Sequence, residues 1–249
     1  MSIKDKVIVI TGGSSGMGAA TAKFANERGA KVVIGSRNQA KLDAVQQSVA
    51  HPENFATLLT DVTKFADVQA LVQLALDQFG QLDVMYNNAG IMPKADIADP
   101  EKLDVWQGLL ETNVMGVLNG IAAAVPTMRK QGHGLVMATD SVAGHKIAPG
   151  FGVYGGTKFA VKGIMEGLRQ EEHANGIQTG IVSPGFVNTN LMNTLNDKEA
   201  QAQIMEANNS TKNGWLSPEN IAELTVFMMS QPENVDINEI IVRPTGQDF

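Results

Sequence analysis

Hydrophobic positions along this chain follow two rhythms that take turns. Short β-branched runs, of the kind buried on both faces of a sheet, alternate with longer stretches at helical spacing. Val7-Ile8-Val9-Ile10 reads as a first strand, and Gly16 to about Arg28 as a helix closed by Gly29 as its C-cap. Val32-Val33-Ile34 is a second strand and Gln39 to Val49 a second helix. Phe55 to Thr60 is a third strand, Phe65 to Phe79 a third helix closed by Gly80, and Leu82 to Tyr86 a fourth strand. A long helix, Leu103 to Val125, is expected to end at Pro126. Gly134 to Ala138 is a strand, Tyr154 to His173 a helix, and Ile177 to Val182 a strand stopped by Pro184. Ser217 as N-cap with Pro218 at the first helical position starts a helix to about Met229, and Glu239 to Val242 is the last strand.

Repeated strand–helix alternation predicts an α/β fold: a doubly wound, Rossmann-like parallel sheet with helices on both faces. No linker, charge block or shift of composition divides the chain, so residues 1–249 read as a single domain. The least regular stretch, Asn190 to Trp215, is polar and Asn-rich. It is expected to be an insert, at about 190–215, covering a substrate site.

Composition narrows the chemistry. The formal charge of −7 gives no electrostatic footprint for nucleic acid or an anionic membrane, so neither is an expected partner. Cysteine is absent, which excludes a disulfide framework, a thiolate zinc site and a Cys nucleophile, and no metal ligand set is assigned. No run approaches 18 consecutive apolar residues, so no bilayer-spanning segment is expected. Met1 to Lys6 runs straight into an apolar strand without a signal-peptide pattern, and the expected location is cytoplasmic.

Thr11-Gly12-Gly13-Ser14-Ser15-Gly16-Met17-Gly18 joins the first strand to the first helix. Glycines there allow a tight turn, close approach of a pyrophosphate and close helix–strand packing, and the helix N-terminus faces the anion. The alternative is a plain Gly-rich turn, and the spacing is not the commoner Gly-x-Gly-x-x-Gly. This loop resembles the cofactor loop of the short-chain dehydrogenase/reductase family. Three further stretches are similar to that family's motifs, in the family's order: Asn87-Asn88-Ala89-Gly90, Tyr154-Gly155-Gly156-Thr157-Lys158 with Ser141 upstream, and Pro184 to Thr189. The resemblance covers almost the whole chain.

Tyr154 and Lys158 stand four apart at the start of a predicted helix and share a face. An ammonium beside a phenol lowers its pKa toward the range useful for proton transfer. An exposed aromatic–Lys pair is the alternative, but Ser141, at the carboxyl end of a strand, can donate to a substrate oxygen. Asn113 lies within the long predicted helix, an unusual place for Asn. The resemblance implies a catalytic set of Asn113, Ser141, Tyr154 and Lys158. Tyr154 protonates a carbonyl oxygen as hydride arrives from a nicotinamide, Lys158 also binds the ribose, and Asn113 supports a water that completes the proton relay. The implied substrate is a small ketone, aldehyde or alcohol.

For the cofactor, no acid lies between Lys31 and Gln39, where NAD sites usually carry one, and Ser36-Arg37 suits a 2′-phosphate. NADP(H) is therefore expected over NAD(H), which stays possible; Ser14 and Ser15 depart from the basic loop residue of many NADP-dependent relatives. The resemblance further assigns Gly12, Ser14, Ser15, Gly16, Met17 and Gly18 to the pyrophosphate loop and Asp61-Val62 to adenine. It places Asn87, Asn88, Ala89 and Gly90 in the groove, and Pro184, Gly185, Val187 and Thr189 near the carboxamide. Asp140 departs from the small or hydroxyl residue expected there, and His145 is a candidate for the pocket. A non-catalytic NADP-binding regulatory protein is the alternative function, though such a protein would be expected to lose Tyr154 or Lys158.

Apolar residues run along two faces of the long helix: Leu103, Trp106, Leu110, Val114, Val117 and Ile121, and Val105, Leu109, Leu118, Ala122 and Val125. The helix from Tyr154 likewise carries more apolar residues than one face needs. Such faces predict self-association. A homotetramer is expected, with the last strand as a second interface and a homodimer as the fallback.

Overall fold

A computed structural model describes residues 2–247 except 200, 203–205 and 207–213. Seven parallel strands form one sheet. They are β1 (Val7–Thr11), β2 (Lys31–Ser36), β3 (Phe55–Leu59), β4 (Val84–Asn87), β5 (Gly134–Thr139), β6 (Ile177–Pro184) and β7 (Glu239–Val242). The strand order is β3-β2-β1-β4-β5-β6-β7, so the chain reverses direction across the sheet between β1 and β4. Such a switch point opens a crevice at the strand carboxyl ends.

Successive side chains of a strand point to opposite faces. Val7 and Val9 therefore enter one core with Val33, Met85 and Val136, and Ile8 and Ile10 enter the other with Val32, Ile34 and Tyr86. The first core is covered by α3 (Phe65–Phe79), α5 (Gly116–Gln131) and α6 (Gly152–Glu172). The second is covered by α1 (Gly16–Glu27), α2 (Gln39–Gln46) and α7 (Pro218–Met229). The doubly wound single-domain reading holds.

Several boundaries differ from the expectation. Leu82 stays outside the ladder because the Gln131 side chain pairs with its peptide, at 3.0 Å to its N–H and 2.8 Å to its carbonyl. Pro126 does not end a helix: α5 continues to Gln131, where Gly132 takes a left-handed φ of 75°. Pro126 and Ala122 are both exposed, so the carbonyl that loses its bond is free to meet water. The long helix is also not continuous. Between α4 (Leu103–Leu110) and α5, residues Glu111–Met115 form a π turn, with the Gly116 N–H bonded to the Glu111 carbonyl. The segment Pro100–Gln131 is long and apolar enough to cross a membrane by length and composition, but half of its apolar 18-residue stretch is buried within the fold, as a core helix would be.

Of the predicted insert, Asn190–Thr194 is one short 3-10 turn, and residues 200, 203–205 and 207–213 of it lie outside the described residues. Its beginning is tied to the loop after β4 by the Met92 N–H bonded to Thr194 Oγ1 (2.9 Å) and by a Lys94–Asp197 ion pair (2.9 Å).

Candidate active site

Two cavities meet at the carboxyl ends of the central strands. The larger, a groove of about 460 Å³, follows the β1–α1 loop toward the end of β2. Gly12 and Gly16 there have φ of 67° and 54°, a region side-chain-bearing residues avoid. A side chain on Gly13 would come within 2.6 Å of Ile34 Cβ, so the loop lies flat on β2. Ser15 is the N-cap of α1, yet its hydroxyl makes no capping bond and stays available to a ligand. Asn88 pins the loop, its amide donating to the carbonyls of Thr11 (3.1 Å) and Gly12 (3.3 Å).

Gly12, Ser14, Ser15, Gly16, Met17, Ser36, Arg37, Asp61, Val62, Asn88, Ala89 and Gly90 all line this groove, as the motifs imply. Gly18 does not; it packs against Gly12 and Asn88, which makes it the close-packing glycine of the loop. Asn87 is buried beneath the groove, beside Gly120. Asn38 and Lys41, which the sequence reading missed, stand beside Arg37 at the β2 end. Asn38 Oδ1 accepts the Lys41 N–H as the cap of α2, a signal present in the sequence as Asn three residues before Lys. Burial raises the Asp61 carboxyl, but two bonds from Thr63 and the charges of Arg37 and Lys64 outweigh it and hold the group below its ordinary value. These residues fit a dinucleotide: a side-chain-free glycine backbone where a pyrophosphate would lie, and cations where a ribose phosphate would end.

The second cavity, about 230 Å³, is mostly apolar. Met92, Phe151, Phe186, Val187, Met192 and Trp215 wall it, with Phe186 and Trp215 stacked at 5.2 Å between ring centres. Pro184, Gly185 and Val187 line this cavity and not the groove, while Thr189 borders both. β6 runs on to Pro184, two residues past its predicted end, and carries the loop toward α7.

Tyr154 borders both cavities. Its phenol is hydrogen-bonded to Ser141, whose Oγ also accepts the Ala143 N–H at 3.1 Å. Lys158, 6% exposed, donates to the Thr139 carbonyl at 2.8 Å and sits 5.7 Å from the Tyr154 ring centre. Burial pushes the phenol up to about 12, against the Ser141 hydrogen bond and helped by the Asp140 charge. Burial also lowers the Lys158 ammonium, partly offset by Asp140. The protein alone thus holds Tyr154 as a phenol, a proton donor, and the expected lowering by Lys158 does not offset burial here.

Asn113 reaches the site because the π turn rotates it inward. Its oxygen accepts the Ile91 N–H (2.9 Å), and its nitrogen donates to the Ile91 carbonyl (2.9 Å) and to Thr157 Oγ1 (3.2 Å). Thr157 in turn donates to the Tyr154 carbonyl at 2.6 Å. Asn113 therefore clamps the turn that carries Tyr154 to the loop after β4, and lines neither cavity. His145 does not line a cavity either; it faces Glu239 at 2.7 Å, because the 3-10 turn Val142–Gly144 directs it toward β7.

The sequence matches the family model described as short chain dehydrogenase over residues 6–200. It is 44% identical over 250 residues to an uncharacterised oxidoreductase of Staphylococcus saprophyticus, covering 100% of this chain and 99% of that protein. The structure is similar to 3-ketoacyl-(acyl-carrier-protein) reductase from Brucella melitensis complexed with NADH (TM-score 0.86, 28% identity, 98% of this chain and 99% of that one). It also shares the fold of the closed form of serine dehydrogenase complexed with NADP+ (TM-score 0.89, 24% identity, 98% and 96% covered).

Proposed function

The chain belongs to the short-chain dehydrogenase family, and we propose that it reversibly reduces a hydrophobic ketone or aldehyde to the alcohol, with NADPH as the preferred reductant. The observation that carries this reading is the junction at Tyr154, one phenol shared by a dinucleotide-shaped groove and an apolar cavity. A nicotinamide cofactor supplies the hydride when bound. The chain's own residues bind, orient and move the proton. The β1–α1 loop would hold the pyrophosphate, Asp61 and Val62 the adenine, and Lys158 and Thr189 the nicotinamide end. Tyr154 gives its proton to the carbonyl oxygen during reduction and takes it back during oxidation. Ser141, bonded to Tyr154, directs a donor to the same oxygen. The Lys158 charge stabilises the phenolate left behind, and Asn113 fixes the turn on which Tyr154 sits.

The preference for NADPH rests on Ser36, Arg37 and Lys41 at the β2 end, where no acid stands. The hydrophobic substrate rests on Phe151, Phe186, Met192 and Trp215. The cysteine-free composition is compatible with work in the cytoplasm. Leu103, Leu110, Met115 and Phe159 are each about half exposed or more on α4 to α6, and a second copy of the chain is their proposed cover. Phe227 on α7 and Ile241 on β7, both exposed, would complete a homotetramer. Light scattering at micromolar concentration tests the assembly, and a mass near 26.5 kDa, the monomer value, would refute it. A panel of ketones and aldehydes offered with NADPH and with NADH tests the reaction. Consumption of NADPH in preference to NADH is expected, and faster turnover with NADH would refute the cofactor assignment.

A further inference from the structure

The apolar cavity beside Tyr154 carries two hydrogen-bond donors that no described residue takes up. Trp215 Nε1 and Gln247 Nε2 are both buried, and neither has a hydrogen-bond partner among the described residues. Both residues line that cavity. Trp106 Nε1 is buried and unpartnered too, but Trp106 lies on α4 and borders neither cavity. A buried donor left unbonded is destabilising, so two in one cavity wall point to a ligand that completes them.

The way each side chain is held fixes which atom is left over. Gln247 Oε1 accepts the Phe186 N–H at 3.0 Å. A backbone N–H can be met only by the oxygen of the amide, so the nitrogen is the unused end. The tail after β7 turns back through the Gln247 N–H, bonded to the Pro244 carbonyl (2.9 Å), and the Gly185 N–H is bonded to the Val242 carbonyl (2.7 Å). A side chain on Gly185 would run into the Gln247 amide, so this glycine makes the room that the amide occupies. Trp215 is held by its ring, stacked on Phe186 at 5.2 Å with 17° between the planes. The next residue, Leu216, donates to the Phe186 carbonyl (3.1 Å) and accepts from the Asn188 N–H (2.9 Å). An indole N–H can only donate. Phe186 thus holds one donor through its backbone and the other through its ring, which makes them parts of one patch. The Asp140 carboxyl, whose Oδ1 also lacks a partner, is a different case: it packs against Gly144 and faces Ser183 Oγ at 3.4 Å.

We propose that this patch is a second oxygen-binding subsite and that the substrate is a dicarbonyl compound, a diketone or an oxo ester. The inference rests on carbonyl reduction at Tyr154 and narrows its substrate class. One carbonyl meets Tyr154 and Ser141, takes a hydride from the nicotinamide and the Tyr154 proton, and becomes an alcohol. The other accepts from Gln247 Nε2 and Trp215 Nε1 and leaves unchanged. Two neutral donors suit a neutral oxygen with two lone pairs, which a ketone or ester carbonyl has. A carboxylate would carry its charge into an apolar cavity, and Lys146, the one cation among the described residues that line it, is exposed. A monoketone of the same shape would seal both donors against carbon, so the patch selects against it.

Two substitutions remove a donor and keep what holds it. Trp215→Phe keeps a ring to stack on Phe186 and deletes the N–H. Gln247→Glu keeps an oxygen for the Phe186 N–H and puts an acceptor where the donor was. Rates with diketones of increasing carbonyl separation are compared with those of monoketones of matched skeleton. In the wild type, kcat/KM for the best diketone is expected to exceed that of its monoketone by about tenfold or more. Each substitution should cut this ratio by about threefold to tenfold. A second readout needs no turnover. The chain has two tryptophans, so nitrogen–proton correlation spectra show two indole N–H signals, and Trp215→Phe assigns them. With oxidised cofactor present, the diketone should move the Trp215 signal downfield and saturably, while the Trp106 signal stays in place. The matched monoketone should produce no such downfield shift. A wild-type ratio near one, or variants that keep the wild-type ratio, would overturn the subsite. A chain that reduces the diketone while the Trp215 signal stays still loses the subsite and keeps the reaction. One whose signal moves but that reduces no carbonyl keeps the subsite and loses the reaction reading, and one that does neither loses both.

Discussion

The groove on the β1–β2 side is framed by a closely packed glycine loop and polar side chains, whereas the cavity beyond Tyr154 is walled mostly by apolar side chains. In the groove, positive φ at Gly12 and Gly16 and the close contact of Gly13 with Ile34 leave little room for change. In the cavity, Phe186, Met192 and Trp215 meet the open space with their side chains. Under the proposed function, the first region would bind the cofactor and the second would set which substrate is accepted. Tyr154 is common to both, so chemistry is fixed while substrate is free to vary.

If that contrast is right, substitutions on the two sides fail differently. The largest effect is expected for Gly13→Val. Its side chain would collide with Ile34 and lift the loop, and NADPH binding should be lost, as calorimetric titration would read. Retained tight binding would mean the groove is less constrained than its geometry. Arg37→Ala should weaken NADPH by about tenfold or more and leave NADH nearly unchanged, from the about 1.5–3 kcal/mol of a charge-assisted contact; equal losses for both cofactors would remove Arg37 from phosphate recognition. On the other side, Trp215→Ala breaks the stack on Phe186. It should raise KM for bulky hydrophobic ketones by about threefold to tenfold and leave cofactor affinity alone.

The smallest expected effect concerns stability. Asp140 is held above its ordinary carboxyl value of 3.8, up to about 6. Between those values the unfolded chain has released the proton that the folded chain keeps, so this group's contribution falls as pH rises through that window. Asp140→Asn removes the effect. The variant should gain about 1 kcal/mol or more over the wild type between pH 4 and pH 7, measured as the difference of two denaturant-unfolding series. A constant difference across that range would contradict a protonated Asp140.

Much of this was legible because it is local in sequence. The strand–helix rhythm fixes the sheet, the turn Gly12 to Gly18 is contiguous, and Tyr154 and Lys158 share a helical face by spacing alone. What escaped depends on distant pairings. Asp140 just past β5, Ser183 in β6 and Glu239 in β7 are 43 and 56 positions apart and meet only through the β5-β6-β7 register. His145 reads as a loop residue until Glu239 is placed beside it. The π turn at Asn113 leaves no mark in the hydrophobic pattern, since one extra residue in a turn shifts which face is buried without changing composition. Pro126 misled for a physical reason, because its helix-breaking cost is moderated where the freed carbonyl faces solvent.

The central claim, that Tyr154 protonates the substrate oxygen beside a bound nicotinamide, is tested most directly by Tyr154→Phe. Disappearance of the NADPH absorbance band is followed with the best carbonyl substrate for the wild type and the variant, alongside NADPH binding to each. The account predicts turnover by the wild type, a loss on the order of a hundredfold or more in Tyr154→Phe, and NADPH affinity preserved within a few-fold. A Tyr154→Phe enzyme that keeps the wild-type rate would contradict it.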